Sequence, residues 1–139
     1  MNYTIYSLIN GQILRTVVCS PNVINNQYNN ATESYVEGNF LDTLFYIENG
    51  LPVMIPPSPG EFYIFDYTTK QYVPNIAFAE QSVNSERVQL LYATDWTQLP
   101  NSPLTSEQQQ QYAVYRQQLR DIPNQSGYPL NVIWPTKPI

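Results

Sequence analysis

The sequence contains no histidine. That removes the Ser-His and Cys-His pairs of nucleophilic catalysis, histidine-containing zinc sites and any imidazole general base. Cysteine is nearly absent: Cys19 stands alone, so no intrachain disulfide can form and nothing points to an oxidising compartment. In its setting, TVVCSP, it reads as a small buried thiol at a strand end. Charge is sparse, 12% of residues against the roughly 25% usual for globular chains. Eleven carboxylates face six Lys and Arg, for a net charge of −5. Only Arg116 and Arg120 lie close together, so no basic stripe is present to neutralise a phosphate backbone and no nucleic-acid partner is expected. No apolar run approaches the roughly 18 residues of a spanning helix, so no membrane partner is expected either. The start, MNYTIYSLING, lacks the basic region, apolar stretch and small-residue cleavage site of a signal peptide. The acids are scattered singly. Glu33 with Glu37 and Asp66 near Glu61 are the close pairs, and solvated strand ends account for both. The chain therefore reads as no enzyme, with no catalytic residue, no metal ligands and no cofactor.

What is present suits a binding protein. The 139 residues make one ordinary domain or two very small ones. Hydrophobic residues are 42% of the chain and aromatics 14%, enough for a core and too many for a disordered tail. The polar work falls to Asn, Gln, Ser, Thr and twelve tyrosines. Such a surface offers few repulsive charges and many rings with an apolar body and a polar tip, which favours association.

The first half carries strand patterns. Tyr3 to Ile9 and Gln12 to Val18 are rich in β-branched and aromatic residues and flank Asn10-Gly11, a dipeptide that accepts the positive φ angles of a type I′ hairpin turn. An Asn- and Ser-rich exposed loop follows, with one helical turn expected at Val23 to Tyr28, and then a short strand at SYVEG. Asn49-Gly50 repeats the hairpin logic between Thr43–Glu48 and Leu51–Ile55. PPSPG reads as a stiff, extended crossover. EFYIFDY (Glu61 to Tyr67) has the strongest single-strand pattern, with both faces mostly covered, and QYV closes the series at Pro74. Residues 1–74 are thus expected to form an antiparallel β domain of five to seven strands, and residues 75–139 a helical module, giving an α+β fold.

From Asn75 the period changes. Ile76, Ala79, Val83, Leu90 and Ala93 fit one helix of about 17 residues, with Ser82 or Asn84 as alternative starts. A second helix opens at Thr105, which with Gln108 forms a capping box. Glu107 in its first turn, and Arg116 and Arg120 in its last two, complement the helix dipole. Tyr112, Tyr115, Leu119 and Ile122 make one narrow apolar stripe, and Pro123 is expected to end the helix by excluding the helical conformation at Ile122. The connector LLYATDWTQLPNSPLT then reads as the turn of an antiparallel helix pair. Trp96 is expected to fill the wedge where the helices diverge, burying roughly 150–250 Å². The extended tail NVIWP should return across the pair, so that Trp134 and Trp96 close one small core.

The stretch from Leu90 to Pro135 closely resembles the C-terminal region of the phage tail assembly chaperone family. The resemblance rests on Leu90, Leu91, Thr94-Asp95-Trp96, Leu99-Pro100, Thr105, Tyr115-Arg116-Gln117, Leu119-Arg120-Asp121-Ile122-Pro123 and Trp134-Pro135. It implies a protein that binds the phage tail fibre, a trimer, and assists its assembly in the host cytoplasm or remains in the virion tail. A structural adaptor joining fibre to a baseplate protein, and a glycan-binding fibre tip, are the other readings. Two faces are candidates for the partner. One is the second helix with Tyr112, Arg116 and Arg120 exposed beside Trp96, together with Trp134; the other is an edge of the N-terminal sheet, by strand addition. Arg116 could pair internally with Asp121, or share Asp95 with Arg120.

Overall fold

The computed structural model describes all 139 residues, and the chain folds as two compact units, Met1–Val73 and Pro74–Ile139.

In the first unit, β1 (Asn2–Ser7) is the central strand of an antiparallel sheet, flanked by β2 (Ile13–Val18) and β3 (Glu33–Glu37). Two hairpins follow, β4 (Phe45–Glu48) with β5 (Leu51–Met54) and β6 (Tyr63–Asp66) with β7 (Gln71–Pro74). As the middle strand, β1 is buried on both faces. Tyr3 and Ile5 pack on Ile24, with Val17, Tyr28 and Tyr35 around them. On the other face the Thr4 hydroxyl donates to the Gly38 carbonyl (2.9 Å) and accepts from the Phe40 amide (3.0 Å). Arg15 of β2 reaches across to Glu33 of β3 in a two-pronged ion pair (3.0 and 2.8 Å) and also donates to the Gln27 carbonyl (2.9 Å). The Asn29 amide completes the carboxylate's shell at 3.0 Å. Arg15, with Asn29 behind it, holds the Glu33 carboxyl down at about 2.

Three details depart from the sequence pattern. Asn10-Gly11 does make a hairpin, but not a two-residue turn: the loop is Leu8–Gly11, closed by Ser7 N–H to Gln12 O (2.9 Å) and Gly11 N–H to Ser7 O (2.8 Å). Gly11 has φ +74° while Asn10 is not left-handed, so the type I′ geometry is excluded. The glycine serves a close approach instead. Its carbonyl accepts from the Ile47 amide (2.8 Å), and a Cβ there would lie 2.0 Å from the Ile47 oxygen. Asn49 and Gly50, at φ 51° and 75°, do form the two-residue turn. The helical turn of the Asn-rich loop is a 3-10 turn at Pro21–Asn26, two residues early, because proline fits the first helical position. EFYIFDY contracts to Tyr63–Asp66 with Ile64 exposed: a turn closed by Tyr63 N–H to Gly60 O (3.3 Å) takes its first two residues, and Asp66 ends the strand by accepting from the Thr68 amide and the Thr69 hydroxyl, both at 2.9 Å.

In the second unit, α1 spans Ile76–Ala93 and α2 spans Ser106–Asp121. Asn75 caps α1 by accepting from the Phe78 amide (3.2 Å), which selects the long helix over the later starts. Thr105 and Gln108 form the full capping box of α2 (2.9 and 3.2 Å). Val83, Tyr112, Tyr115, Leu119 and Ile122 are the core, with Leu90, Leu91, Leu104, Tyr128, Val132 and Trp134 packed against it. Burial pushes the Tyr115 hydroxyl pKa up. Ile122 keeps helical angles (φ −49°, ψ −44°), contrary to the expected effect of Pro123. The chain tightens into a 3-10 turn at Ile122–Asn124, closed by Gln125 N–H to Ile122 O (3.0 Å), so the proline costs no helical bond.

Candidate protein-interaction site

The connector between α1 and α2 is built around a buried guanidinium. Arg116 is 8% exposed and reaches from the third turn of α2 to the C-terminal end of α1. One of its nitrogens donates to the Leu91 carbonyl (2.6 Å) and the Thr94 hydroxyl (2.9 Å), the other to Asp95 Oδ1 (2.7 Å). The end of a helix leaves carbonyls without partners and carries partial negative charge, so a cation there is favoured twice. Thr94 and Thr97 are fully enclosed. The Thr94 hydroxyl donates to the Leu90 carbonyl (2.9 Å), and the Thr97 hydroxyl to Thr94 O (2.6 Å). Two glutamines tie the connector to α2: Gln98 donates to Gln109 O and Gln109 to Leu99 O, each at 3.2 Å.

The wedge between the helices is therefore polar, and Trp96 does not fill it. Its indole N–H donates to Ala93 O (3.1 Å), which holds the ring over the helix end, 45% exposed and 6.3 Å from the Tyr112 ring. Hydroxyls and a guanidinium satisfy several orphan carbonyls at once, where one indole N–H satisfies a single carbonyl. Tyr112 and Arg116, expected on an open face of α2, are buried beneath the connector. Arg116 pairs with Asp95 rather than Asp121, whose carboxylate accepts from Gln117 (3.1 Å). Arg120 is exposed. Trp134 packs against the helical core as expected, but Trp96 lies outside that cluster, so the two rings do not close one core.

Sequence reasoning missed the side chains that accompany Trp96 at the surface. Val88, Tyr92 and Leu99 are 57%, 80% and 53% exposed. With Trp96 they follow one another at intervals of four, four and three residues, along the end of α1 and into the connector. The signal was present as helical spacing, but the leucines beside them drew the apolar reading inward. Thr94 and Thr97 had a fainter signal, as hydroxyls at a helix end. Gln125, which holds the tail, had none.

The arrangement offers a half-exposed indole, an exposed tyrosine and the Asp95 carboxylate, 60% exposed and anchored from below. It is suited to binding a protein surface. Carboxylates do structural work in both units: Glu33 on Arg15 and Asp66 in its turn in the first, and Asp95 on Arg116 in the second. No group of three Cys, Asp or Glu residues converges as a metal site, and no helix is long and apolar enough to cross a membrane.

Comparison with the curated proteins and with the solved structures finds no match. Residues 80–139, most of the second unit, match the family model described as phage tail assembly chaperone protein, and that likeness supports an assembly role in the phage tail.

Proposed function

We propose that the chain is a non-enzymatic phage tail protein that binds the tail fibre and assists its assembly. The observation that carries this reading is the family match over residues 80–139, the same segment that bears the aromatic surface around Trp96. Fibre chains are long and β-rich, and their unpaired edges and apolar patches aggregate before assembly is complete. A helper needs broad contacts that release, and half-exposed rings with few charges provide them. We assign Trp96, with Val88, Tyr92 and Leu99, to the contact surface, and exposed Arg120 of α2 as a further contact; Trp134 packs on the helical core and lies outside that surface. Tyr112 and Arg116 act from beneath by fixing the connector. We take residues 1–74 and 75–139 as two domains and place the binding role on the second.

Co-expression with the fibre chain tests this. Trp96→Ala should weaken capture of the fibre by about 30-fold or more, the scale of a central aromatic anchor, without lowering the thermal midpoint by more than a few degrees. Capture by Trp96→Ala and by Tyr92→Ala equal to that of the wild-type chain would remove the assigned surface. Peptide mass spectrometry of intact particles then separates the two fates. A fixed ratio to the fibre marks a retained component, and absence from particles despite abundance in the infected cell marks a chaperone that releases.

A further inference from the structure

The C-terminal tail is attached differently from every other segment of the second unit. After the Asn131 amide bonds to Gly127 O (2.7 Å), no backbone-to-backbone hydrogen bond holds the chain through Ile139. Side chains hold it instead. The Gln125 amide donates to Ile133 O and accepts from Ile133 N–H, both at 2.8 Å, so one side chain reads a residue's backbone as a neighbouring strand would. The Tyr112 hydroxyl donates to Pro138 O at 3.3 Å. Val132 and Trp134 turn onto the helical core, while Ile133 and Ile139 are exposed to solvent. Pro135 and Pro138 keep the segment extended at low entropic cost. Depressions of about 290 and 280 Å³ flank it on α2, both bordered by Gln118.

A backbone clamp, one tryptophan anchor and an extended, proline-stiffened chain are the parts of a peptide-recognition groove. We propose that the face formed by Tyr112, Tyr115 and Gln118 of α2, with Gln125 just beyond the helix, is such a groove, that residues 132–138 are its resident ligand, and that a partner segment of the same chemistry, extended and carrying tryptophan followed by proline, displaces them. The clamp reads backbone and the core reads one indole, so the groove demands little else of its ligand. The inference concerns the free chain and stands apart from the fibre-binding surface around Trp96.

The test uses the full-length chain and a fluorescent peptide of residues 131–139, followed by anisotropy. In the wild-type chain the resident tail competes. In Trp134→Ala its anchor is gone, and the peptide should bind at least tenfold tighter than to wild type. Adding Gln125→Ala should reduce that binding at least fivefold, and a peptide with alanine in place of its tryptophan should not bind. Equal affinity for wild type and Trp134→Ala, or no binding to either, overturns the proposal. If Trp134→Ala fails to fold, recovery of its helical circular dichroism on adding the peptide supports the groove, and no recovery overturns it.

Discussion

Two arginines do most of the electrostatic work, and they differ in what their loss should cost. Arg116 is enclosed, and its three hydrogen bonds tie it to the Leu91 carbonyl, the Thr94 hydroxyl and the Asp95 carboxylate at the end of α1. Arg116→Ala should destabilise the chain by about 2–3 kcal/mol in urea titration, the scale for losing hydrogen bonds from a buried charged donor. Asp95→Asn keeps an acceptor at a position open to water and should cost under about 1 kcal/mol. Equal losses would mean that the ion pair, rather than the helix-end carbonyls, is what Arg116 is for. Arg15 instead leaves a signature in pH. The Glu33 carboxyl sits at about 2 in the folded chain against 4.5 ordinarily, so the unfolded chain takes up the proton first as acid is added. Its stabilisation is complete above about pH 4.5 and drains away as pH falls towards 2. Arg15→Ala should flatten that limb of the urea-midpoint profile between pH 5 and 2; an unchanged limb would place the acid sensitivity elsewhere.

At the level of elements, two glycines with nearly the same φ should answer substitution differently. Gly50 has open space where a Cβ would go, so Gly50→Ala meets only the left-handed backbone penalty, about 1 kcal/mol. Gly11→Ala adds a contact with the Ile47 oxygen that neither backbone can relieve, and should cost at least twice as much by urea midpoint. Their sequence setting is the same, Asn-Gly between two apolar runs, and sequence revealed both as hairpins. It could not separate them, because the difference lies in a neighbour 36 residues away. The helices were more legible. Asn75, Thr105 and Gln108 act on their own helix, and the stripe from Tyr112 to Ile122 follows from spacing alone. Where reading failed, the deciding partner was tertiary: Trp96 looked like core until Thr94, Thr97 and Arg116 took the wedge, and Tyr112 and Arg116 looked exposed until the connector covered them. The tail's course was legible through Trp134, but the Gln125 clamp was not, since a lone glutamine carries no pattern.

Across the whole molecule, each unit holds a single ion pair, Arg15 with Glu33 and Arg116 with Asp95. Raising ionic strength from low to about 0.5 M should therefore move the thermal midpoint by no more than a degree or two, since little Coulomb energy is there to screen. A larger fall would reveal a long-range electrostatic contribution that the two pairs do not account for. One further consequence follows from the Leu8–Gly11 loop. Its Gly11 carbonyl meets β4 through Ile47, and its Asn10 carbonyl receives the Lys70 ammonium (2.5 Å) from the turn after β6, which also lies over the Tyr46 ring. All three sheets are thus tied at one short loop that, by composition, resembles a place to graft a tag. An epitope inserted between Asn49 and Gly50 would extend a hairpin tip into open water and be tolerated. The same insertion at Asn10 would uncouple three pieces at once, so the loop that looks most like spare chain is the poorest site for engineering.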